Sequence, residues 1–516
     1  MENKKSIFVK FNIIAIICIT IFCVALSQKQ LQNDTFYTIK IGQHIVDTKT
    51  VDMQEVFSWH KDLKYTYPHW LYDVGIYLIY NTGYSLNGEN GGMMAIYIST
   101  CIFSTILGIL IYITNIKINR NHVISFFLTL IAIYFLRNFL AARAQLVSYI
   151  MFVLEVYCIE KFLDTRKIRY GLYLFILTTI IANIHVAVWY MFFIIMLPYF
   201  GEYIIALLIN KKEELKEKIE KINFIKRENV KWLIIIAIVC MLAGLLTPQN
   251  TFEPYTYIIK TIMGNSTEVI SEHKPIVLID HKEIIVFLTV LIAFLIFTKA
   301  KITLKDLLML SGLILMTLVS KRQRSMLILI GIYSVNKILI EYLKGKKSDI
   351  DLYLTEILSR GYSILIVFCV VFSTSLLLYG NKNNQDYINK ELYPVRATDY
   401  IIKNLDINKI KLYNNYNYGS YLMYKNIPQF IDSRCDLYTP EFNNKDIFND
   451  SIDISSLLVD YDEKFREYGI THILIESNSK LRLVLDKDSK YRALYYDDNF
   501  CIFERWLNCC KNFLRI

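Results

Sequence analysis

Apolar blocks of about 15–25 residues, separated by short basic clusters, run through most of this chain, and that rhythm leaves it very few folds. A helical block of this length matches the roughly 30 Å hydrocarbon layer of a bilayer. Inside lipid, backbone polar groups must be satisfied within the segment, so repeated blocks of this kind mean a bundle of membrane-crossing helices. The 516 residues are 54% hydrophobic and their mean hydropathy is +0.33, above what a soluble chain of this size carries. The first block, 7–27, follows Lys4 and Lys5. It reads as an uncleaved first helix, because no small-residue cleavage site follows it.

Spans are expected near 7–27, 92–114, 122–136, 145–163, 170–184, 186–210, 232–247, 283–298, 306–320, 325–342 and 361–379, about eleven in all. With the N-terminus inside, Lys117 and Arg120, the Arg166–Arg169 group, the run 211–227, Lys299 and Lys301, and Lys344, Lys346 and Lys347 all fall on the inner side. The net charge of +10 is then topogenic and does not call for nucleic acid as a partner. The expected organisation is a transmembrane domain over 1–379, with outer loops 28–91 and 248–282, and an extracytoplasmic domain over 380–516. The segment 70–84 is apolar but short and contains Asp73. Counting it as a span would invert every later loop, so it reads as an interfacial helix. Richness in Ile, Lys, Asn and Tyr fits an AT-rich bacterial genome, hence a bacterial plasma membrane.

Residues 380–516 read as a mixed α/β unit. Strands are expected at 411–413, 429–432, 472–475, 494–496 and 500–503, and helices at 397–405 and 455–468, with Asp497-Asp498-Asn499 as a hairpin turn. Ten cysteines form no CxxC pair. Six lie in apolar blocks as small hydrophobes; Cys435, Cys501, Cys509 and Cys510 leave a disulfide in the C-terminal domain open.

Ionisable groups at membrane depth are costly and mark function. Arg143, His185, Arg322 and Arg324 fall at the outer ends of spans, and Glu272, His273 and Lys274 lie in the outer loop before Pro275. A set of Arg, Lys and His at bilayer height suits the phosphate of a lipid carrier. Asp34, just outside the first span, is a candidate general base, with Glu272 a second carboxylate on the same face. Asp34 also fits a helix N-cap ahead of 35–46. Tyr418, Asp432 and Arg434 are acceptor-side candidates; for Asp432 and Arg434 an internal ion pair is the alternative.

These residues resemble the GT-C superfamily of integral membrane glycosyltransferases, nearest to bacterial members with a C-terminal outer domain. The matching pieces run in order through nearly the whole chain: Asp34-Thr-Phe-Tyr-x-Ile-Lys-x-Gly42, Val56-Phe-Ser58, His69-Trp-Leu71, Arg143-Ala-Gln145, Ala182-Asn-Ile-His185, Leu246-Thr-Pro248, Glu272 ahead of Pro275, Asn414-Asn-Tyr-Asn-Tyr-Gly419 and Phe430-Ile-Asp-Ser-Arg434. The resemblance implies a polytopic α-helical fold with a C-terminal α/β domain and inverting sugar transfer from a polyprenyl-phosphate donor without a soluble nucleotide sugar. It implies Asp34 as catalytic base and an envelope glycan, lipid or protein as acceptor. Glu272 matches an acidic position where some relatives hold a metal or the carrier phosphate, which leaves a divalent cation, Mg²⁺ or Mn²⁺, open. Asp34 is preceded by Asn33 and not by a second acid, a departure that weakens a metal site. Asn415-Tyr-Asn-Tyr-Gly419 departs from the Trp-Trp-Asp-Tyr-Gly motif of oligosaccharyltransferases at both Trp and the Asp, which argues against a peptide acceptor. Its plainer reading is strand–turn–strand with Gly419 at the turn. The competing class is a non-catalytic membrane scaffold or a partner in envelope polysaccharide assembly or export. A secondary transporter lacks its expected inverted repeat here.

Overall fold

The computed structural model describes residues 2–209, 222–223, 225, 227–248, 252–263, 270, 272–298, 300–344, 350–358 and 360–506. Cys509, Cys510 and the connector 211–221 lie outside the described residues. The described chain packs as two compact units: 1–29, 96–258 and 267–384 form the first, and 30–95, 259–266 and 385–516 the second.

Each of the eleven apolar blocks is helical. The helices carrying the argument are α1 (Glu2–Leu26), α2 (Asn33–Thr48), α3 (Trp70–Asn119), α4 (Val123–Leu136), α5 (Ala144–Thr165), α6 (Ile168–Ile184), α7 (Met191–Ile209), α8 (Val230–Met241), α9 (Lys282–Phe297), α10 (Leu304–Val319), α11 (Arg324–Lys344) and α12 (Gly361–Asn383). Among the described residues, five helical stretches are long and apolar enough to cross a bilayer, namely Ile7–Leu26, Trp70–Asn119, Val186–Ile209, Lys321–Leu343 and Gly361–Asn383, and three shorter ones are apolar. The first unit is thus a polytopic membrane bundle.

Helix packing in lipid relies on close van der Waals contact, for which small residues make room. Gly108 of α3 lies so close to α1 that an added Cβ would come within 2.7 Å of Cys23 Sγ. One continuous core runs from Phe11, Cys18 and Phe22 through Tyr149 and Val153 of α5 to Leu327 and Ile330 of α11. Short polar groups fix the ends: Thr303 caps α10 by accepting from Asp306 N, and the Asn121 side chain accepts from Ile124 N at 2.8 Å.

The short apolar segment near 70–84 is helical, but α3 is not one rod. It breaks at Asn87 (φ −149°, ψ 39°) and Gly88 (φ 56°, ψ −148°). The positive φ at Gly88 is one that L side chains rarely adopt. The chain folds back there: a Cβ on Gly83 would sit 2.2 Å from the Gly91 carbonyl oxygen, and one on Gly92 would strike the Tyr80 ring. A straight helix holds residues eight apart about 12 Å from each other, so the chain reverses direction between Gly83 and Gly91.

In the second unit, four strands form a mixed sheet. With β1 Leu412–Asn414, β2 His472–Glu476, β3 Tyr491–Tyr496 and β4 Phe500–Arg505, the order is β1-β2-β4-β3. The β1/β2 pair is parallel and the other two are antiparallel. The expected turn joins β3 to β4, with Asp497 Oδ1 accepting from Asn499 N at 2.9 Å and Phe500 N at 2.7 Å.

Three local expectations need correction. Residues 429–432 are not a strand: the Asn414 amide serves as their sheet neighbour, accepting from Phe430 N at 2.8 Å and donating to the Ile431 carbonyl at 2.7 Å. The helix expected over 455–468 is two, Ile447–Ser456 and Tyr461–Tyr468. Leu457 ends the first in a left-handed conformation and Asp460 caps the second. Gly419 makes no turn. It opens the helix Gly419–Tyr424 at φ −60°, and its missing side chain lets the Ile431–Asp432 backbone pass, the Ile431 oxygen lying 1.9 Å from an ideal Cβ. The described cysteines, Cys435 and Cys501 included, are unbridged.

Candidate active site

Four separate stretches of chain meet at one end of the first unit: the turn before α5, the end of α6, the loop 272–276 and the turn 320–324. Extended backbone at Arg143 (φ −132°, ψ 151°) opens α5 and lets its guanidinium reach Glu272, Nη1 to Oε1 3.4 Å. The loop lies along the α10–α11 turn through backbone bonds. Arg322 N donates to the Glu272 carbonyl at 3.0 Å, Lys321 N to the Lys274 carbonyl at 3.1 Å and Ile276 N to the Leu318 carbonyl at 3.2 Å. The three-residue 3₁₀ turn Lys321–Gln323 thereby holds the Lys-Arg-Gln-Arg stretch against Glu272 and His273.

The groups modulate one another. Burial and the charge of Arg322 push the His273 imidazole down to about 4, against a smaller opposing pull from Glu272. At neutral pH His273 is uncharged, so it offers the site a hydrogen bond and no cation. That refines the expectation of an all-cationic patch. His185 Nδ1 meets Ser148 Oγ at 3.0 Å, and Ser148 lies on α5 a little over one turn past Arg143. Arg324 turns to its own carboxylate: Nη1 donates to Glu283 Oε1 at 2.9 Å and approaches His281 Nδ1 at 3.3 Å. Arg143, Glu272, His273, Lys274 and Arg322 therefore gather, His185 joins through α5, and Arg324 serves a neighbouring ion pair.

Tyr149 and Ser148 were not legible as site residues. Tyr149 receives a bond from Gln145, whose Nε2 lies 2.5 Å from Tyr149 Oη; it bonds Ser325 and feels Arg322, Arg143 and Glu272. The available signal was helical spacing, since Gln145 and Tyr149 are four apart on α5.

Asp34 belongs to the second unit. It is not the N-cap of its helix: Gln32 holds that place and Asp34 is in the first turn, at the positive end of the helix dipole. It is half-buried, and its charge reaches Tyr393, whose hydroxyl donates to the Leu31 carbonyl at 3.3 Å. Helix α2 is clamped on two sides. The Asn33 amide donates to the Tyr416 carbonyl at 3.0 Å, and Phe36 packs edge-on against Tyr393 and Tyr421. On the other side His69 links Tyr37 Oη (2.9 Å) to Asp73 Oδ1 (2.6 Å), and a Cβ on Gly42 would fall 2.1 Å from the Asp73 carbonyl.

The acceptor-side candidates are enclosed. Arg434 and Asp432 have fully buried side chains. The guanidinium is shared between Asp432 (Nε 2.9 Å, Nη2 2.6 Å) and Glu55 of the first loop, whose Oε1 lies 3.1 Å from Nη2 and whose Oε2 bonds Nη1. Tyr438 and Gln429 each donate to Asp432 Oδ2 at 2.7 Å. Burial opposes the charge on Asp432, and Arg434 more than offsets this, holding the carboxyl below its usual value. This is the internal ion pair anticipated as the alternative, extended to a third residue. Tyr418 is buried and donates to the Leu474 carbonyl at 2.8 Å, a packing role.

Among the described residues no three His, Cys, Asp or Glu side chains converge on a point, and Glu272 faces Arg143.

No family model and no curated protein matches the sequence. Solved structures do. The chain is similar to the archaeal oligosaccharyltransferase AglB from Archaeoglobus fulgidus, in complex with an inhibitory peptide and a dolichol-phosphate. The TM-score is 0.56 at 10% identity, over 99% of this chain and 75% of that one. It is also similar to ArnT from Cupriavidus metallidurans bound to undecaprenyl phosphate, with TM-score 0.52 at 10% identity over 96% of this chain and 97% of that one. The likeness shows a shared fold: a polytopic membrane bundle with a C-terminal soluble part.

Proposed function

We propose that this chain is a membrane glycosyltransferase that moves a sugar from a polyprenyl-phosphate carrier to an envelope glycan, lipid or protein on the outer face of a bacterial plasma membrane. The observation that carries the reading is the gathering of Arg143, Arg322, Lys274, His273 and Glu272 at one end of a GT-C bundle. Support also comes from AglB and ArnT, whose structures hold dolichol-phosphate and undecaprenyl phosphate.

In this mechanism the guanidinium groups of Arg143 and Arg322 and the Lys274 ammonium bind the carrier phosphate and stabilise the charge that builds on it as the sugar leaves. Neutral His273 donates a hydrogen bond to a phosphate oxygen. His185, set by Ser148, completes the donor side. Asp34 accepts the proton of the acceptor hydroxyl as that oxygen attacks the anomeric carbon, inverting its configuration. The N-terminus lies in the cytoplasm and residues 385–506 outside.

The test is Asp34→Asn beside the unaltered chain in cells, with lipid-linked sugars and envelope glycans followed by mass spectrometry. The expected result is accumulation of one polyprenyl-phosphate sugar and loss of one glycan modification, at equal membrane abundance. Retained transfer removes Asp34 from the mechanism. No change on deleting the whole chain favours the scaffold reading.

A further inference from the structure

The opposite end of α5 from Arg143 borders a second polar cavity. Seventeen residues separate Arg143 from Glu160, roughly 25 Å along the helix, so this cavity is distinct from the candidate active site. It encloses about 350 Å³ between α3, α5, α7, α10 and α11. Six cationic side chains line it, Lys117, Arg120, Lys161, Arg227, Lys305 and Lys337, against three carboxylates, Glu160, Asp164 and Glu341.

The arrangement is built in two layers. In the inner layer Glu160 holds Arg227 (2.7 Å), Lys305 (3.5 Å) and the Tyr199 hydroxyl (2.9 Å). Asp306, itself fully buried, holds Lys305 (2.5 Å) and Lys337 (2.9 Å) and accepts from Ser334 Oγ at 2.8 Å. These acids are thus already matched to cations. The outer layer is different: the side chains of Lys117, Arg120 and Lys161 make no ion pair or hydrogen bond among the described residues. They share the cavity lining with Asp164 and Glu341, so cations outnumber carboxylates six to three there. Cations near helix C-termini often serve only the dipole or the bilayer surface, but those roles do not require a half-open cavity with a fixed floor of Arg and Lys.

We propose that this cavity binds a phosphate group, supplied either by an anionic lipid headgroup or by a soluble phosphate compound. Arg120 and Arg227 give planar forks that match phosphate oxygens, and the lysines give point charges. Five helix walls restrict the ligand to one compact anionic group, and the position is that of a leaflet interface on the side that the topogenic charges make cytoplasmic.

The test uses the purified full chain in nanodiscs of phosphatidylcholine. One arm measures retention of phosphatidylglycerol by native mass spectrometry; the other measures binding of inorganic phosphate and pyrophosphate by thermal shift. The triple variant Lys117→Ala, Arg120→Ala, Lys161→Ala, compared in an Arg143→Ala background so that the carrier-phosphate site contributes little, weakens binding at least tenfold, about 1.4 kcal/mol. Phosphatidylglycerol retention alone identifies a lipid site, and phosphate or pyrophosphate binding alone a soluble ligand. Binding in neither arm overturns the proposal, as does equal binding by the triple variant. Single Lys161→Gln and Lys117→Gln variants, each expected to weaken binding in part, keep the test open if the triple variant fails to insert.

Discussion

Two arginine–carboxylate contacts divide this molecule into kinds. Arg434 lies fully buried between Glu55 and Asp432, forked to both, with the Phe57 and Tyr65 rings 5.4 and 5.1 Å from its guanidinium. Arg143 touches Glu272 through a single 3.4 Å contact, and the two side chains are 25% and 50% exposed. Geometry this different means different work. A buried fork with every acceptor engaged has nothing left to offer a ligand, while a long, open contact is easily exchanged for a better anion. An arginine beside a carboxylate in sequence says little until the burial of the pair is known.

The sharpest break between the two is stability. Arg434→Met leaves two carboxylates buried without their cation, which costs about 3–5 kcal/mol. Thermal unfolding in detergent and proteolysis within residues 50–65 both report it, because Glu55 is the tie that holds the first loop to the Asp432 segment. Arg143→Met, an exposed pair, changes stability by about 0–1 kcal/mol. Equal losses in the two variants would erase the distinction.

A second, smaller effect probes the buried side by pH. The first loop is also pinned by His60, whose ring stacks on Trp59 and whose Nε2 donates to the Phe430 carbonyl at 2.8 Å. Burial, chiefly, holds its imidazole down at about 4, so at neutral pH the ring is uncharged. An unfolded histidine binds its proton near 6.5, so between these values the unfolded chain carries more protons than the folded one. Stability therefore rises with pH across this window and falls on acidification, by at most about 3 kcal/mol. His60→Gln makes the dependence between pH 6.5 and 4 shallower, leaving the share of His273. An unchanged slope in that variant would place the acid sensitivity elsewhere.

What the sequence disclosed follows from the range of the forces. Hydrophobic length and flanking charge are local, and they located every apolar helix to within a few residues. Polarity at span ends singled out Arg143 and Arg322 as candidates, and polarity in the outer loop Glu272. Partnership is not local. Nothing near Glu55 marks it as the mate of Arg434, 379 residues away. Nor does anything near Asn414 announce that its side chain replaces a strand. The break at Asn87–Gly88 falls between the separately expected helix 70–84 and span 92–114; only the reversal of direction there was hidden, and the cluster of Gly83, Gly88, Gly91 and Gly92 was its available sign. Asp34 was one residue inside its helix and not at the cap, since Gln32 gives no typical capping signal.

The smallest effect bears on how Glu272 relates to the carrier phosphate. If the open contact is exchangeable, Glu272 and the phosphate compete for the Arg143 guanidinium. Glu272→Gln removes the competing charge and leaves the loop's backbone bonds to Lys321 and Arg322 in place. Affinity of the purified protein for undecaprenyl phosphate then rises a few-fold, roughly 0.5–1 kcal/mol, the size of an exposed ion pair, and the gain shrinks in high salt. Arg143→Gln loses affinity, and adding Glu272→Gln to it gives no further change, because the partner of the competition is already gone. A Glu272→Gln variant that binds the carrier more weakly would assign this carboxylate to positioning the site, and would make the open contact a fixed structural tie like the buried one.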